Sequence, residues 1–411
     1  MSLSSGIRCG ITALACLMLA GLAPASAARI VEVTDVKGLE AAIKSAEPGD
    51  DIVLADGSYE VRRQITVAES GSRELPITVR AAHRWKAQLR SSTVVAFEVV
   101  AENWRFRDLD IRGTCGIDAA CEHAFHVVGN AASFVMAGNR IADFNAHLKV
   151  NAVSGVAPSG GLVEGNELFN THPRETTNTV ALLNIDAASA WVIRNNLIYD
   201  FNKAGGDAVS YGAYVKGGAE RPVIERNVVI CRRKDRKGGA RIGLSFGGGG
   251  TGAQYCAPNY DAGGSCDQEV IGGVMRNNIV ADCSDVGIYL NQSTNSLILF
   301  NTLIRTRGID FRFPGSTGEA RGNLMASEIR TRDGGKFTDG GNLMRTRSDD
   351  LEELYQDPDA GDLRLRGKPT LVAGKGGADP RVTDDFCGRK RNAPLDMGAL
   401  QSSLGDCPTL P

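Results

Sequence analysis

Through most of the chain, apolar residues fall in short runs that alternate with polar ones and are broken by Gly, Asn or Asp. This is the pattern of short strands joined by tight turns. An Asn followed by aliphatic residues recurs at Asn139, Asn166, Asn195, Asn227, Asn277, Asn301, Asn323 and Asn342, at spacings of 27, 29, 32, 50, 24, 22 and 19. A repeat of about 20–30 residues made of short strands predicts an all-β, single-stranded, right-handed parallel β-helix with one turn per repeat. The recurrent Asn are expected at its corners, bonding turn to turn through their amides and tolerating left-handed backbone.

A second column supports this reading. Segments of the form small, apolar, variable, apolar, polar recur as Gly212–Lys216, Gly243–Gly247, Gly287–Asn291 and Gly308–Arg312, and more loosely as His147–Asn151 and Val180–Asn184. Strand alternation turns the apolar positions inward and the variable ones outward. Leu39, Ala42, Ile43 and Ala46 recur at helical spacing over 38–47, before Pro48-Gly49-Asp50. A helical N-terminal cap is therefore expected within 28–60, because an open solenoid end exposes strand edges. The anomalous spacing of 50 holds a Gly-rich stretch, 233–269, which reads as a loop insertion. Residues from about 350 to 411 are charged and rich in Gly and Pro, and suit a C-terminal cap.

Composition narrows the class. The 46 Lys+Arg and 48 Asp+Glu give a formal charge of −2, which argues against a nucleic-acid partner. Glycine is abundant, 49 of 411 residues, as a turn-rich fold requires. Residues 1–27 read as a signal peptide: Arg8, an apolar stretch from Ile11 to Leu22, then Ala25-Ser26-Ala27 as a cleavage site. No other stretch is long and apolar enough to suggest a membrane span. One domain, 28–411, is expected as a secreted or periplasmic monomer. Its eight remaining cysteines suggest disulfides, with Cys115/Cys121, Cys256/Cys266 and Cys387/Cys407 as local pairs and Cys231 left for Cys283.

The opening Leu39, Ala41-Ala42-Ile43, Ala46, Pro48-Gly49-Asp50, Ile52, Leu54, Gly57 and Tyr59 resembles the polysaccharide lyase family of chondroitinase B and alginate lyases. Leu75–Ala81 is similar to that family's next strand, and Asp385–Arg389 with Asp396–Ala399 resembles the tail of many secreted β-helix proteins. The resemblance implies a Lys base on one turn, an Arg on the following turn, and acidic and amide calcium ligands just before the Lys. Lys216 stands where such a Lys is expected. The preceding strand holds no Glu, and Asp207 is the nearest carboxylate before Lys216 in the chain. On the next turn Phe246 and Gly247 occupy the equivalent positions, with Arg241 at the strand's start.

Stacking the repeats gives a pointer independent of the family. The outward column collects His126, Lys149, Leu182, Tyr214, Ser245, Tyr289 and Asp310; its neighbour collects Asn151, Asn184, Lys216, Gly247, Asn291 and Arg312. Cations interleaved with Tyr suit an acidic polysaccharide, although an ordinary solvated sheet face would show the same residues. The expected chemistry is β-elimination of a uronate, with Lys216 as base, Tyr214 protonating the leaving oxygen, and Arg241 or Arg312 neutralising the carboxylate. Lys149, Asn184, Tyr289, Asn291 and Arg312 are the expected substrate contacts. His123, His126 and His147 form a second candidate group, His126 and His147 lying about one turn apart. Gly247–Gly252 lacks the residues of a phosphate loop and reads as a wall over the face. Asp261, Asp267 and Glu269 are possible calcium ligands. The alternative to a lyase is a non-catalytic β-helix that binds glycan or another macromolecule.

Overall fold

The computed structural model describes residues 1–2, 29–248, 251–260, 266–358, 362–366 and 369–405. The signal-peptide reading, Asp261 and Cys407 lie outside them. The described residues form a parallel β-helix whose three long sheets have twelve, ten and ten strands. The first runs from Ile30–Val33 to Thr338–Asp339, the second from Ile65–Val67 to Ile329–Arg332, and the third from Gly57–Val61 to Leu324–Met325. Inside, Phe97, Phe106, Phe125 and Phe134 pack in a continuous aromatic stack with centroids 4.9–5.8 Å apart. The cap helix, Val36–Lys44, starts at Asp35, whose side chain accepts from Gly38 N at 2.8 Å. It turns Leu39, Ala42 and Ile43 onto the first strands.

The Asn ladder is present, with a one-residue correction at two turns. Its members are Asn139, Asn166, Asn196, Asn227, Asn278, Asn301, Asn323 and Asn342. Where two Asn adjoin, the second enters the ladder, and Asn195 and Asn277 take the left-handed turn before it (φ +56° and +54°). At each rung the backbone N–H and the side-chain amide of one Asn both donate to the Oδ1 of the next. For Asn227 and Asn278 both distances are 3.0 Å. Burial leaves these groups without water, so the ladder both satisfies them and fixes the register of each turn.

Two long loops share one turn in the region read as a single insertion, because Ala240–Phe246 runs through it as a strand of the second sheet. The longer loop follows Phe246, and its described residues are 247–248, 251–260 and 266–269. Three disulfides follow the expected pairing, Cys115–Cys121, Cys231–Cys283 and Cys256–Cys266; Cys387 is also disulfide-bonded. Leu351, Leu354, Tyr355, Val372, Phe386 and Leu400 build a second core against Leu197, Val228, Ile279 and Leu324. The C-terminal segment thus lies along the outer face of the third sheet. Among the described residues no helix is long and apolar enough to cross a membrane.

Asn227→Ala should lower unfolding free energy by about 2–4 kcal/mol, since it strands buried donors and acceptors on both neighbouring turns. Asn342→Ala, at the partly exposed last rung, should cost about 1 kcal/mol or less. Urea titration of both variants checks the ordering.

Candidate functional site

The second sheet carries the candidate face. Its strands Ala146–Asn151, Val180–Asp186, Val209–Lys216, Ala240–Phe246, Ile288–Asn291 and Ile309–Arg312 are successive neighbours. The pairing places His126, Lys149, Asn184, Tyr214, Ser245, Tyr289 and Asp310 in one column. Asn184 therefore stands where Leu182 is expected, and Leu182 is in the core. The same two-residue correction sets Asp186 opposite Lys216. The cause is local: Leu182 and Leu183 both point into the core, so alternation restarts at Leu183.

This register assembles a charge cluster from three consecutive turns. The Lys149 ammonium donates to Asn184 Oδ1 at 2.9 Å and to Asp186 Oδ2. Lys216 Nζ lies 3.4 Å from Asp186 Oδ1 and 5.4 Å from the centre of the Tyr214 ring. Tyr214 meets Tyr211 edge to face at 5.0 Å. Burial pushes the Lys149 amine below its usual lysine value; Asp186 opposes that shift and the Lys216 charge adds to it. Burial also holds the Tyr214 phenol well above its ordinary value, so it keeps its proton at neutral pH.

The 247–269 loop covers one side of this cluster. A Cβ at Gly248 would come within 3.2 Å of Lys216 Cδ, and Ala257 N donates to Gly217 O at 2.8 Å. Glu269, buried, accepts from Gly217 N at 2.7 Å and Thr251 Oγ1 at 2.9 Å, and burial raises its carboxyl above the usual range. At the other side of the face, Arg312 Nη1 donates to the Tyr289 hydroxyl at 3.1 Å and Nε to Asp333 at 2.6 Å. Asn291 Nδ2 is 3.4 Å from the same hydroxyl. Arg330 and Arg332, paired with Asp310, prolong the cationic strip.

Arg241 does not join Lys216. It pairs opposite Ser210, six residues before Lys216 on the neighbouring strand, which is about 20 Å at ~3.3 Å per residue. Its buried guanidinium is committed to Asp235 at 3.0 Å and Lys237 O at 2.8 Å. Asp207, the nearest carboxylate preceding Lys216 in sequence, accepts from Lys203 at 2.7 Å before the strand begins. Asp186 and Glu269 are the carboxylates brought to Lys216. Asp186 was legible in principle, by continuing the alternation from Leu183; no local signal marks Glu269 as folding back over the Gly217 bend.

Calcium fits this donor set poorly. Ca²⁺ takes six to eight oxygens, whereas here Asn184 Oδ1 and Asp186 Oδ2 already accept from Lys149, and the remaining Asp186 oxygen, buried without a hydrogen bond, faces the Lys216 ammonium at 3.4 Å. Asp267 is exposed. Among the described residues no group of three or more His, Cys, Asp or Glu is placed to hold a metal ion. The histidines divide as well. His126 faces outward, 3.2 Å from Asn151 Oδ1, and His123 lies beside it with ring centres 5.2 Å apart. His147 turns the other way, fully buried, its Nε2 3.3 Å from Asn170 Oδ1.

Burial lowers the His147 pKa from 6.5 to about 3. Between those values the unfolded chain binds a proton that the folded chain refuses, so stability falls as pH drops from 6.5. His147→Gln should flatten that acid limb by up to about 1.4 kcal/mol per pH unit, as read from unfolding midpoints between pH 4 and 7.

Comparison with known proteins agrees with the fold. Residues 33–99 match the family model of chondroitinase B, a segment that ends before the strands carrying Lys149, Asp186 and Lys216. No curated protein matches the sequence. Pectate lyase Pel9A aligns with TM-score 0.60 and 15% identity over 92% of this chain and 97% of its own. An alginate lyase from Paenibacillus aligns with TM-score 0.43 and 17% identity over 77% of this chain and 98% of its own. The chain thus shares the parallel β-helix fold of pectate lyase Pel9A, and its first turns resemble chondroitinase B.

Proposed function

We propose that this chain is an exported polysaccharide lyase that cleaves an acidic, uronate-containing glycan by β-elimination. The observation that carries the reading is the Lys149–Asp186–Lys216 cluster beside Tyr214, on a face walled by the 247–269 loop. Lys216, beside Tyr214 and under the loop, is placed to serve as base. The amine takes the C5 proton, the electron pair forms the C4–C5 double bond, and the C4–O bond breaks. Tyr214 gives its proton to the leaving oxygen. Tyr211, partly exposed, offers ring surface to a sugar face, and Arg312 a further cation, whereas Tyr289 is buried against Ile242 and Val286 and serves to hold Arg312. The fold shared with pectate lyase Pel9A is compatible with a glycan as the polymer class. Export is supported by the disulfides and by the apolar leader read from the sequence.

Incubation with alginate, pectate, chondroitin and heparan, followed by ultraviolet absorbance of unsaturated uronates, is the test. At least one polymer should give a rising signal. Lys216→Ala should reduce that rate by about 10²–10⁴-fold, the usual worth of a positioned base. Tyr214→Phe should lower it with the fold unchanged by circular dichroism. Retardation in glycan-containing gels without any absorbance change would instead support a binding protein, and near-wild-type rates for Lys216→Ala would move the site toward His126.

A further inference from the structure

β-Elimination from a uronate needs a positive charge beside the sugar carboxylate to stabilise the enolate-like state. The resembled family implies calcium for this region, and the donor set here does not fit it. We propose that the Lys149 ammonium is a built-in replacement for a divalent cation, seated in the Asn184/Asp186 acceptors to receive the substrate's carboxylate without metal. This rests on the reading of the face as a uronate site.

The geometry is that of a held cation rather than a surface lysine. Lys149 reaches across the intervening strand register to two acceptors of the next turn, Asn184 Oδ1 at 2.9 Å and Asp186 Oδ2. Its side chain is only 15% exposed, and Asp186 is 7% exposed. An ammonium has three N–H donors, so two fixed acceptors leave one for a ligand. Lys216 approaches the same carboxylate from the following turn, at 3.4 Å. Asp186 accepts one N–H of Lys149, and Asn184 a second without adding negative charge, which orients the ammonium with its third N–H open to a carboxylate. His126, outward on the preceding turn, brings no carboxylate. Glu269 directs its Oε2 at Gly217 N and Thr251 rather than at Lys149.

Two measurements on the EDTA-stripped mature chain test this. Calorimetric titration of the wild-type chain with CaCl₂ should show no binding that Asp186→Asn removes. Saturation-transfer NMR with sodium glucuronate, galacturonate and mannuronate should show contact with at least one uronate in EDTA. Neutral glucose, galactose and mannose should show none. Lys149→Met, which keeps the apolar stem and loses the charge, should weaken that contact at least about ten-fold, the scale of a charge-assisted bond. A calcium site lost in Asp186→Asn, uronate contact that requires calcium, or full uronate contact in Lys149→Met would each overturn the proposal. Absence of uronate contact in the wild-type chain would overturn it too. The calcium titration of the wild-type chain involves no loss of Lys149 and decides the metal question even if Lys149→Met fails to fold. Uronate contact without turnover would leave this inference standing while refuting the lyase reading. Calcium-dependent turnover would do the reverse.

Discussion

Everything in this molecule depends on turns stacking in parallel register about 4.8 Å apart. A residue's neighbours are then set by its place on the turn, and sequence distance matters little. The buried Asn ladder enforces that register at one corner, because each Asn fits only when the next Oδ1 lies directly above its own amide and backbone N–H. Left-handed residues such as Gly138, Gly165, Asn195 and Asn277 precede the ladder Asn and turn the chain into place. A slip of one residue on any turn would leave several buried polar groups unpaired, each a cost of about 1–3 kcal/mol.

The same constraint makes the candidate site. Lys149, Asp186 and Lys216 belong to three different turns, and only the stacking brings their charges together. Asp186 faces both lysines, on the side of the sheet that carries Tyr211 and Tyr214. A rigid scaffold thus holds the cluster in place, with a disulfide-held loop beside it. Small rearrangements are resisted because each side chain is tied to a strand fixed by neighbours on both sides.

The repeat, the helical cap and three cysteine pairings were legible because each leaves a local mark: spaced Asn, a helical apolar stripe before Pro-Gly-Asp, and nearby cysteines. The site was legible in part. Lys216, Tyr214, Lys149 and Asn184 do converge, but Asp186 was hidden by a miscount of alternation where Leu182 replaces the small residue that marks the other turns. Alternation cannot reveal a strand that sends two successive residues inward. Arg241 illustrates another limit, since nearness in the chain says nothing about which end of a strand a side chain occupies. Glu269 returns to Lys216 through a loop closure, which no periodic pattern encodes. The packing of the C-terminal segment was not legible for a similar reason: its apolar residues are scattered, and only the structure reveals that they pack on the third sheet.

The account stands on Lys149 and Asp186 acting as one unit across two turns, and a double-mutant cycle measures that most directly. Unfolding free energies of the wild-type chain, Lys149→Met, Asp186→Asn and the double variant would be compared at neutral pH. The account predicts a coupling energy of at least about 1 kcal/mol, as for contacting charges in one network. Additivity within about 0.3 kcal/mol would contradict it, because side chains that do not meet in solution leave no shared site to explain.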